Sequence, residues 1–438
     1  MKSGSSYLYV SSNNHNWRSN SVIAYRIEKD GVLSAIDQGH FLTGGEGINN
    51  NTHGKLGPND NDTPLLIDRR RRLLFVVNGH SDSIAIFAIK QDGKLKAVDG
   101  SPFHAGGIMP NSLALSGETL LVSNRNEDYH RLKELREEAA CYASFRLTNS
   151  GEISLISKVP VAGKNKPTQI LVANYDPSIA FGNDFQVDAD FDGGGSRSFL
   201  AGEQPSVQGQ IHSFKVSTGG ELKEVGVVQL IETNALYRYL GMDNVPSLPL
   251  GLWSHPSKNI LYVGFVTRNE LGVYTFSDSG QLEFRGSVPN SGQDICWLLS
   301  NSAGDRLYTI NNLPRDEHGD GGSTVTTYDI SGEKALKPVE VHRIELPCTA
   351  PTFRNNRNLL QPGSTAFQCC LSPDEDVLFV VCQRINQTQE NTAPEGNRIY
   401  SLKIDDRGIP SQISSSRDLQ DDGVPVTCRP QGLATIQL

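Results

Sequence analysis

The sequence predicts an all-β protein, a seven-bladed β-propeller of four-stranded antiparallel blades. One observation is a repeat: an alternating apolar segment ends in a large apolar residue, and a glycine follows six residues later, or four in one shortened copy. The repeat occurs seven times. A second observation is that further strand signatures precede most copies, which gives four strands per unit. Radial repetition of four-stranded units builds a propeller, so seven units predict seven blades.

The copies of the repeat are spread along the whole chain. Gly31 and Gly408, the first and last repeat glycines, are 377 residues apart, which gives a mean period near 63 over six intervals. Period-two alternation with glycine turns is typical of strands rather than helices. The segments and their glycines are Val22 to Tyr25 with Gly31, Ile84 to Phe87 with Gly93, Ala143 to Phe145 with Gly151, Ile211 to Phe214 with Gly220, Gly272 to Tyr274 with Gly280, Val325 to Tyr328 with Gly332, and Ile399 to Leu402 with Gly408.

The other three strands of each unit are predicted around the repeat. A second strand lies upstream, as in Leu74 to Asn78 or Leu120 to Asn124, and a first strand lies upstream of that, as in Pro110 to Leu115. The segment after each repeat glycine supplies the fourth. Asn78, Asn124 and Asn311 follow their strands at equivalent positions and are predicted to cap turns.

The two ends of the chain predict how the propeller closes. Tyr7 to Ser11 is a second-strand signature with no first strand before it, whereas Thr427 to Ile436 is a first-strand signature with nothing after it. Pairing of the two would remove an exposed sheet edge. We therefore expect one propeller domain over residues 1–438, with the C-terminal strand completing the first blade.

The charge and composition of the chain indicate which classes of partner it can bind. The formal net charge is −9 and the isoelectric point is near 5.6, which opposes binding to nucleic acid or to an anionic membrane. The seven cysteines form no C-x-x-C pair, and the sequence contains no signal-peptide pattern and no apolar run long enough to span a membrane. These features predict a cytoplasmic protein with reduced cysteines and a small-molecule ligand.

The repeat pattern, P-x-x-x-x-apolar-S, L-[FY]-V-x-N, I-x-x-[FY] and G-x-L in that order, resembles the seven-bladed lactonase family. That family includes the propeller-type 6-phosphogluconolactonases and the fungal carboxymuconate cyclases. The likeness covers nearly the whole chain and is best over Arg72 to Leu95 and Pro110 to Asn124. It implies the propeller fold and chemistry by His, Arg and Glu side chains at one mouth of the central channel. Repeat residues report strand packing rather than chemistry, so the implied reaction rests on the resemblance alone.

Standard cofactor and metal motifs are absent from the sequence, and no cofactor is expected. No G-x-S-x-G, G-x-x-x-x-G-K-[ST], H-E-x-x-H or helix-opening G-x-G-x-x-G occurs. Asp188, Asp190 and Asp192 match the first half of a calcium-binding loop, but position twelve is Phe199 and not the bidentate Glu. The segment is therefore predicted to be an acidic, glycine-rich loop, with a Ca²⁺ site as the alternative.

Four insertions are predicted on one face of the propeller, near residues 44–63, 127–140, 182–208 and 384–397. In a propeller, the loops between second and third strands and those between blades share one face, where the central channel binds ligands. Long connections in a compact domain are more often functional than accidental. The insertions are therefore expected to cap the channel.

Candidate site residues are the polar side chains at these loops. An Arg beside a His suits an anionic substrate, because guanidinium binds carboxylate bidentately and imidazole exchanges protons near neutral pH. In the blade-three segment from Asn124 to Arg136, Tyr129, Leu132 and Leu135 are expected to dock one face while Arg125, His130 and Arg131 stay free. Arg69 to Arg72 is predicted to form a solvated hairpin on the opposite face. The candidate catalytic residues are His130, Arg125, Arg131, His80 and Arg268, and the candidate substrate-binding residues are His15, Arg18, His53, Asp294 and Gln368.

Three functions remain open from the sequence. The first is cofactor-independent lactone hydrolysis, or the reverse ring closure, on an organic acid or secondary metabolite. The second is another cyclisation, in which the capped channel orients the substrate. The third is a non-catalytic scaffold that binds a protein or a metabolite. A deep pocket with His, Arg and acid would favour an enzyme, and a flat apolar loop face would favour the scaffold.

Overall fold

The fold is described from a computed structural model of the chain. The structure describes residues 4–48, 63–126, 138–162, 165–186, 209–230, 237–239, 242–245, 248–313, 322–347, 353–354, 360–361, 364–384 and 396–438. These residues form strands and four short 3-10 turns, with no α-helix among them. The turns are Lys29–Gly31, Val266–Arg268, Gly332–Ala335 and Gln420–Asp422.

Seven antiparallel sheets form the blades of a β-propeller, as predicted. In each blade we call the strands inner, second, third and outer, counted outward from the central channel. Short ribbons, Tyr237–Tyr239 with Met242–Val245 and Phe353–Arg354 with Leu360–Gln361, lie outside the blades. In this order, the strands are Gln431–Gln437, Ser6–Ser11, Ser21–Ile27 and Leu33–Leu42 in blade one; Leu65–Asp68, Leu73–Asn78, Ser83–Ile89 and Leu95–Ala97 in blade two; Pro110–Ser116, Thr119–Asn124, Cys141–Leu147 and Ile153–Pro160 in blade three; Lys166–Val172, Ile179–Gln186, Gln210–Val216 and Leu222–Gln229 in blade four; Pro249–Ser254, Ile260–Phe265, Glu270–Phe276 and Leu282–Pro289 in blade five; Gln293–Ser300, Arg306–Leu313, Thr324–Asp329 and Val339–Glu345 in blade six; and Ser364–Leu371, Val377–Arg384, Arg398–Ile404 and Pro410–Asp418 in blade seven.

The predicted closure is confirmed. The C-terminal strand Gln431–Gln437 is the inner strand of blade one, and it pairs antiparallel with Ser6–Ser11. Tyr7 lies opposite Ile436, and Tyr9 lies opposite Ala434. The first blade is therefore built from both ends of the chain.

The repeat glycines form the turns between third and outer strands, and all seven have positive φ, from 56° to 95°. That region is costly for residues with a Cβ atom, which explains why glycine recurs. Gly93 also mediates packing between blades. A Cβ at Gly93 would lie 2.3 Å from the ring of Tyr7, and the hydroxyl of Tyr9 donates to the carbonyl of Gly93 at 2.8 Å. The turn of blade two thus packs directly on blade one.

Blade two departs from four strands. Its third strand pairs first with Leu95–Ala97 and then with a separate two-residue strand, Phe103–His104. Pro102, which lacks a backbone N–H, lies between the two pieces and cannot continue the hydrogen-bonded ladder. The outer strand of this blade is therefore split.

The three equivalent asparagines do more than cap turns. Each is fully buried and bonds to the connection that arrives from the preceding blade. Asn78 accepts hydrogen bonds from Thr43 at 2.7 Å and from Asn20 at 2.8 Å, and Asn311 accepts one from Asn290 at 2.7 Å. Asn124 donates to the carbonyl of Ala105 at 3.1 Å. These positions hold consecutive blades together.

The apolar core lies between neighbouring blades, where buried side chains of the second and third strands meet. Among the residues in the described ranges, no helix is both long and apolar enough to cross a membrane. The six cysteines within these ranges form no disulfide with one another.

Candidate functional site

The two faces of the propeller differ in what they carry. The loop face holds the ends of the second strands, the starts of the third strands and the starts of the inner strands. The hairpin face holds the turns between inner and second strands. Most of the candidate residues that the structure describes lie on the loop face, as the sequence predicted.

Four cationic side chains are buried where inner strands begin and second strands end on the loop face. Lys166 starts the inner strand of blade four and is 2% exposed, and Arg125, just past the second strand of blade three, is 0% exposed. Arg384 ends the second strand of blade seven, and Arg429 lies two residues before the inner strand of blade one. Burying a cation is expensive unless anionic or polar groups surround it. Each of these four side chains therefore needs polar or anionic groups around it, and we call the four residues the cationic ring.

The contacts of the cationic ring tie neighbouring blades together. The ammonium of Lys166 donates to the backbone carbonyl of Asn126 at 2.6 Å. An Nη1 atom of Arg125 lies 3.5 Å from the carbonyl of Pro167. Burial lowers the pKa of Arg384 from its usual value. The sequence prediction that Arg125 stays free at the surface is wrong, because its side chain is buried between blades three and four.

A histidine held by two carboxylates lies beside this ring, on the third strand of blade four. The Nδ1 atom of His212 is 2.7 Å from a carboxylate oxygen of Glu224, and Nε2 is 2.8 Å from one of Asp184. Asn165 donates to the same oxygen of Asp184 at 2.8 Å. Burial acts to lower the pKa of His212, but the two carboxylates outweigh it and raise the pKa to about 9. His212 is therefore an imidazolium near neutral pH, and both its nitrogens are engaged.

A second histidine–carboxylate pair, His80 with Glu46, is more exposed to solvent. Nε2 of His80, a predicted site residue, lies 3.7 Å from a carboxylate oxygen of Glu46, and the His80 side chain is 29% exposed. The backbone N–H of His80 donates to the carbonyl of Glu46 at 3.2 Å. Glu46 comes from the connection between blades one and two. Because this imidazole is reachable from solvent, it is the better candidate for proton transfer.

The other described candidates are spread over several blades, and most are buried or already paired. Arg18 is exposed and donates to the carbonyl of Gly44 at 3.2 Å, and His15 lies partly buried in the same loop. Arg268 forms an ion pair with Glu270 at 3.2 Å. Asp294 is buried, at positive φ near the start of the inner strand of blade six. The prediction that Gln368 lies at a loop is wrong: it lies within an inner strand, buried in the channel wall, where its amide oxygen accepts from the N–H of Gly432 at 3.1 Å.

Some predicted residues lie outside the described residues. Among the described residues, no group of three or more His, Cys, Asp or Glu side chains is arranged to hold a metal ion. The candidates outside the described ranges are His53, His130 and Arg131, together with the acidic loop residues Asp188, Asp190 and Asp192.

A large cavity occupies the channel and opens at the hairpin face. Its volume is about 1180 Å³, and it extends from Gln368 and Gly432 to the turns that contain Arg69, Arg72 and Glu375. The prediction of a solvated hairpin at Arg69 to Arg72 placed the turn on the correct face. The prediction did not include the cavity that Arg69 and Arg72 line. How close a turn lies to the channel depends on the arrangement of all seven blades, which a local sequence pattern does not give.

Sequence reasoning did not find Lys166, Arg384, Arg429, Asp184 or His212 as site residues. A signal existed for two of them. Arg429 lies within the predicted C-terminal first strand, and Lys166 begins an inner strand, where a basic residue faces the mouth of the channel. His212 and Asp184 lie within strand repeats, where their meeting depends on pairing across blade four.

No family model and no curated protein sequence matches the chain. Solved structures do match its fold. A protein from Bacteroides fragilis, proposed to be a 6-phosphogluconolactonase, has a TM-score of 0.59 and 13% identity, covering 99% of this chain and 98% of that one. A periplasmic gluconolactonase from Pseudomonas aeruginosa has a TM-score of 0.60 and 12% identity, covering 98% and 99%. A functionally unknown protein from Desulfotomaculum acetoxidans has a TM-score of 0.59 and 10% identity, covering 98% of both chains. The chain thus shares the seven-bladed propeller fold of these proteins, as the repeat pattern predicted.

Proposed function

We propose that this protein is an enzyme that acts on a small organic anion at the loop face, by lactone hydrolysis or the reverse ring closure. The observation that carries the proposal is the cationic ring of Arg125, Lys166, Arg384 and Arg429. Charged groups fixed in a water-poor site stabilise a bound anion and the negative charge that develops in acyl transfer. The shared fold with a gluconolactonase supports the choice of a lactone.

The chemistry needs one proton-transfer group near the ring. His80 is the candidate for this role, because its imidazole is partly exposed and its Nε2 atom lies 3.7 Å from the carboxylate of Glu46. In hydrolysis, the imidazole would take a proton from the attacking water and return it to the departing ring oxygen. The cationic ring would hold the carboxylate or phosphate of the substrate and the oxyanion. The same groups used in reverse would close the ring.

Two further parts of the proposal follow from composition rather than from the site. The reaction is proposed to need no cofactor, and the protein is proposed to act in the cytoplasm on a free metabolite, without binding nucleic acid or membrane. Chelation with EDTA tests whether the reaction needs a metal ion: activity should persist. Loss of activity with EDTA and its rescue by Ca²⁺ would support a Ca²⁺ site at Asp188, Asp190 and Asp192.

The test is turnover of a panel of lactones, including gluconolactone and 6-phosphogluconolactone, measured as acid release at constant pH. Wild-type protein should hydrolyse at least one anionic member, and His80→Gln should lower kcat about a hundredfold or more. His40→Gln on the outer strand of blade one is the matched control and should keep full activity. No turnover of any lactone, together with no ring closure of the corresponding acids, would overturn the enzyme proposal and favour the scaffold.

A further inference from the structure

We propose that the cavity at the hairpin face binds a small amphipathic organic anion, with its charged group at Arg69 and Arg72 and its apolar body between the inner strands. This site lies at the opposite end of the channel from the cationic ring. The proposal goes beyond the function proposed above, and it does not depend on it.

The wall of the cavity is apolar where the inner strands pass. Leu66, Leu171, Leu299 and Leu371 belong to the inner strands of four different blades, yet each is only partly buried. Inner strands lie at the centre of the molecule, so the exposed part of these side chains faces the cavity. A volume of about 1180 Å³ slightly exceeds that of small-molecule pockets, which are roughly 300–1,000 Å³. These four side chains therefore give the wall an apolar band that can contact an apolar ligand body.

Four consecutive arginines, Arg69 to Arg72, lie at the mouth, and only two of them line the cavity. Arg71 forms a 2.7 Å ion pair with Asp68, and Arg70 lies 3.9 Å from a carboxylate oxygen of Glu118. Neither Arg70 nor Arg71 lines the cavity. The two arginines that have carboxylate partners are thus the ones that point away from it.

The two arginines that line the cavity have neutral partners. Arg69 donates to the backbone carbonyl of Thr435 at 3.1 Å, and Arg72 donates to the amide oxygen of Gln91 at 2.9 Å. Among the described residues, neither forms an ion pair with a carboxylate. Within the described ranges, the two positive charges at this mouth therefore have no ion-pairing negative charge. A carboxylate, sulfate or phosphate group would provide it, and guanidinium binds such groups strongly.

Two acidic residues at the same mouth are compatible with an anionic ligand at the arginines. Glu375, on the turn of blade seven, accepts hydrogen bonds from the N–H of Ser302 at 2.9 Å and from its hydroxyl at 3.1 Å. Its carboxylate thus fastens blade seven to blade six. Asp374 is the second acid at this rim. The basic side remains the place for a ligand's charged group.

Octanoate and 1-octanol provide a matched pair of probes that differ in charge. Calorimetric titration of the full chain should show one site for octanoate. The Arg69→Ala/Arg72→Ala variant should bind octanoate at least tenfold more weakly, with 1-octanol affinity unchanged. The Arg70→Ala/Arg407→Ala variant removes the same charge from exposed positions and should bind both probes as wild type does. Equal octanoate affinity in all three proteins, or no octanoate binding at millimolar concentration, would overturn the proposal.

The position of binding is read from Trp253, which lines the cavity and donates to the hydroxyl of Ser300 at 2.8 Å. Octanoate should change the tryptophan fluorescence of wild type and of Trp17→Phe, because Trp17 lies in a loop of the other face. The change should be lost in Trp253→Phe. A signal that survives in Trp253→Phe would place the ligand elsewhere and contradict the proposal. These experiments measure octanoate binding and not lactone hydrolysis, so a negative result would not bear on the enzyme proposal.

Discussion

Nε2 of His212 lies 2.8 Å from a carboxylate oxygen of Asp184, and the Asp184 side chain is fully buried. The same imidazole bonds to Glu224 on the outer strand, so it links the second, third and outer strands of blade four. The ring of Tyr142 from blade three packs against it, with centroids 5.6 Å apart. A charged group therefore stabilises the boundary between blades three and four.

The stability of the protein should depend on the charge of His212. Because the folded-state pKa is raised to about 9 from 6.5, its contribution is fully present below pH 6.5 and is lost as pH rises through about 9. The contribution is on the order of 3 kcal/mol. In urea unfolding, wild type should exceed His212→Gln in unfolding free energy at pH 6.5, and the difference should shrink markedly by pH 10.

His255→Gln is the control for that experiment. His255 is also buried, but burial lowers its pKa, so its neutral form predominates over this pH range. Its variant should differ from wild type by the same amount at pH 6.5 and pH 10. A pH-independent difference for His212→Gln as well would show that His212 carries no stabilising charge.

Arg125 should matter for folding and not only for binding. Its side chain is fully buried, so Arg125→Ala would create a cavity and remove a charge from a packed boundary. The free energy of unfolding should fall by about 2 kcal/mol or more. Arg70→Ala, at a side chain that is 66% exposed, should change it by less than about 0.5 kcal/mol. Equal stability of the two variants in thermal unfolding would contradict the burial of Arg125.

Gly93→Ala should be more destabilising than Gly332→Ala. Both glycines have positive φ, so both variants incur the left-handed penalty of roughly 1–2 kcal/mol. At Gly332 a Cβ meets nothing within 4 Å, whereas at Gly93 it meets the ring of Tyr7. The difference between the two variants measures the packing of blade two on blade one. Equal losses would mean that Tyr7 moves aside without cost.

Removal of Cys428 to Leu438 should leave Ser6–Ser11 as an unpaired edge and open blade one. We expect the truncated chain to aggregate or to lose cooperative unfolding. Size-exclusion chromatography and a thermal melt measure this. A monomer that melts cooperatively at the wild-type temperature would show that the closure contributes little.

The sequence predicted the blades because a propeller repeats one local pattern. The glycine of each repeat, such as Gly93, marks a turn that needs positive φ, and the alternation before it marks a strand. The closure of blade one followed from the two incomplete ends. These features are local, so they can be read along the chain.

The site could be predicted only in outline. The loop face followed from the topology, and His80 was found there. Whether a basic side chain is buried, as Arg125 is, depends on neighbours in other blades that no local pattern reveals. The contact of His212 with Asp184 likewise needs the register between two strands. The cationic ring could therefore be recognised only in the structure.

The most direct test of the enzyme proposal is binding of the product anion gluconate, measured by calorimetry on wild type, Lys166→Met and Lys215→Met. Both lysines belong to blade four, but Lys215 lies at the hairpin-face end of its third strand, near Ser178. Wild type and Lys215→Met should bind gluconate equally, and Lys166→Met should bind it at least tenfold more weakly, since a hydrogen bond to a charged group is worth about 1.5–3 kcal/mol. Equal affinity in all three proteins, with all three folded by circular dichroism, would contradict a loop-face anion site.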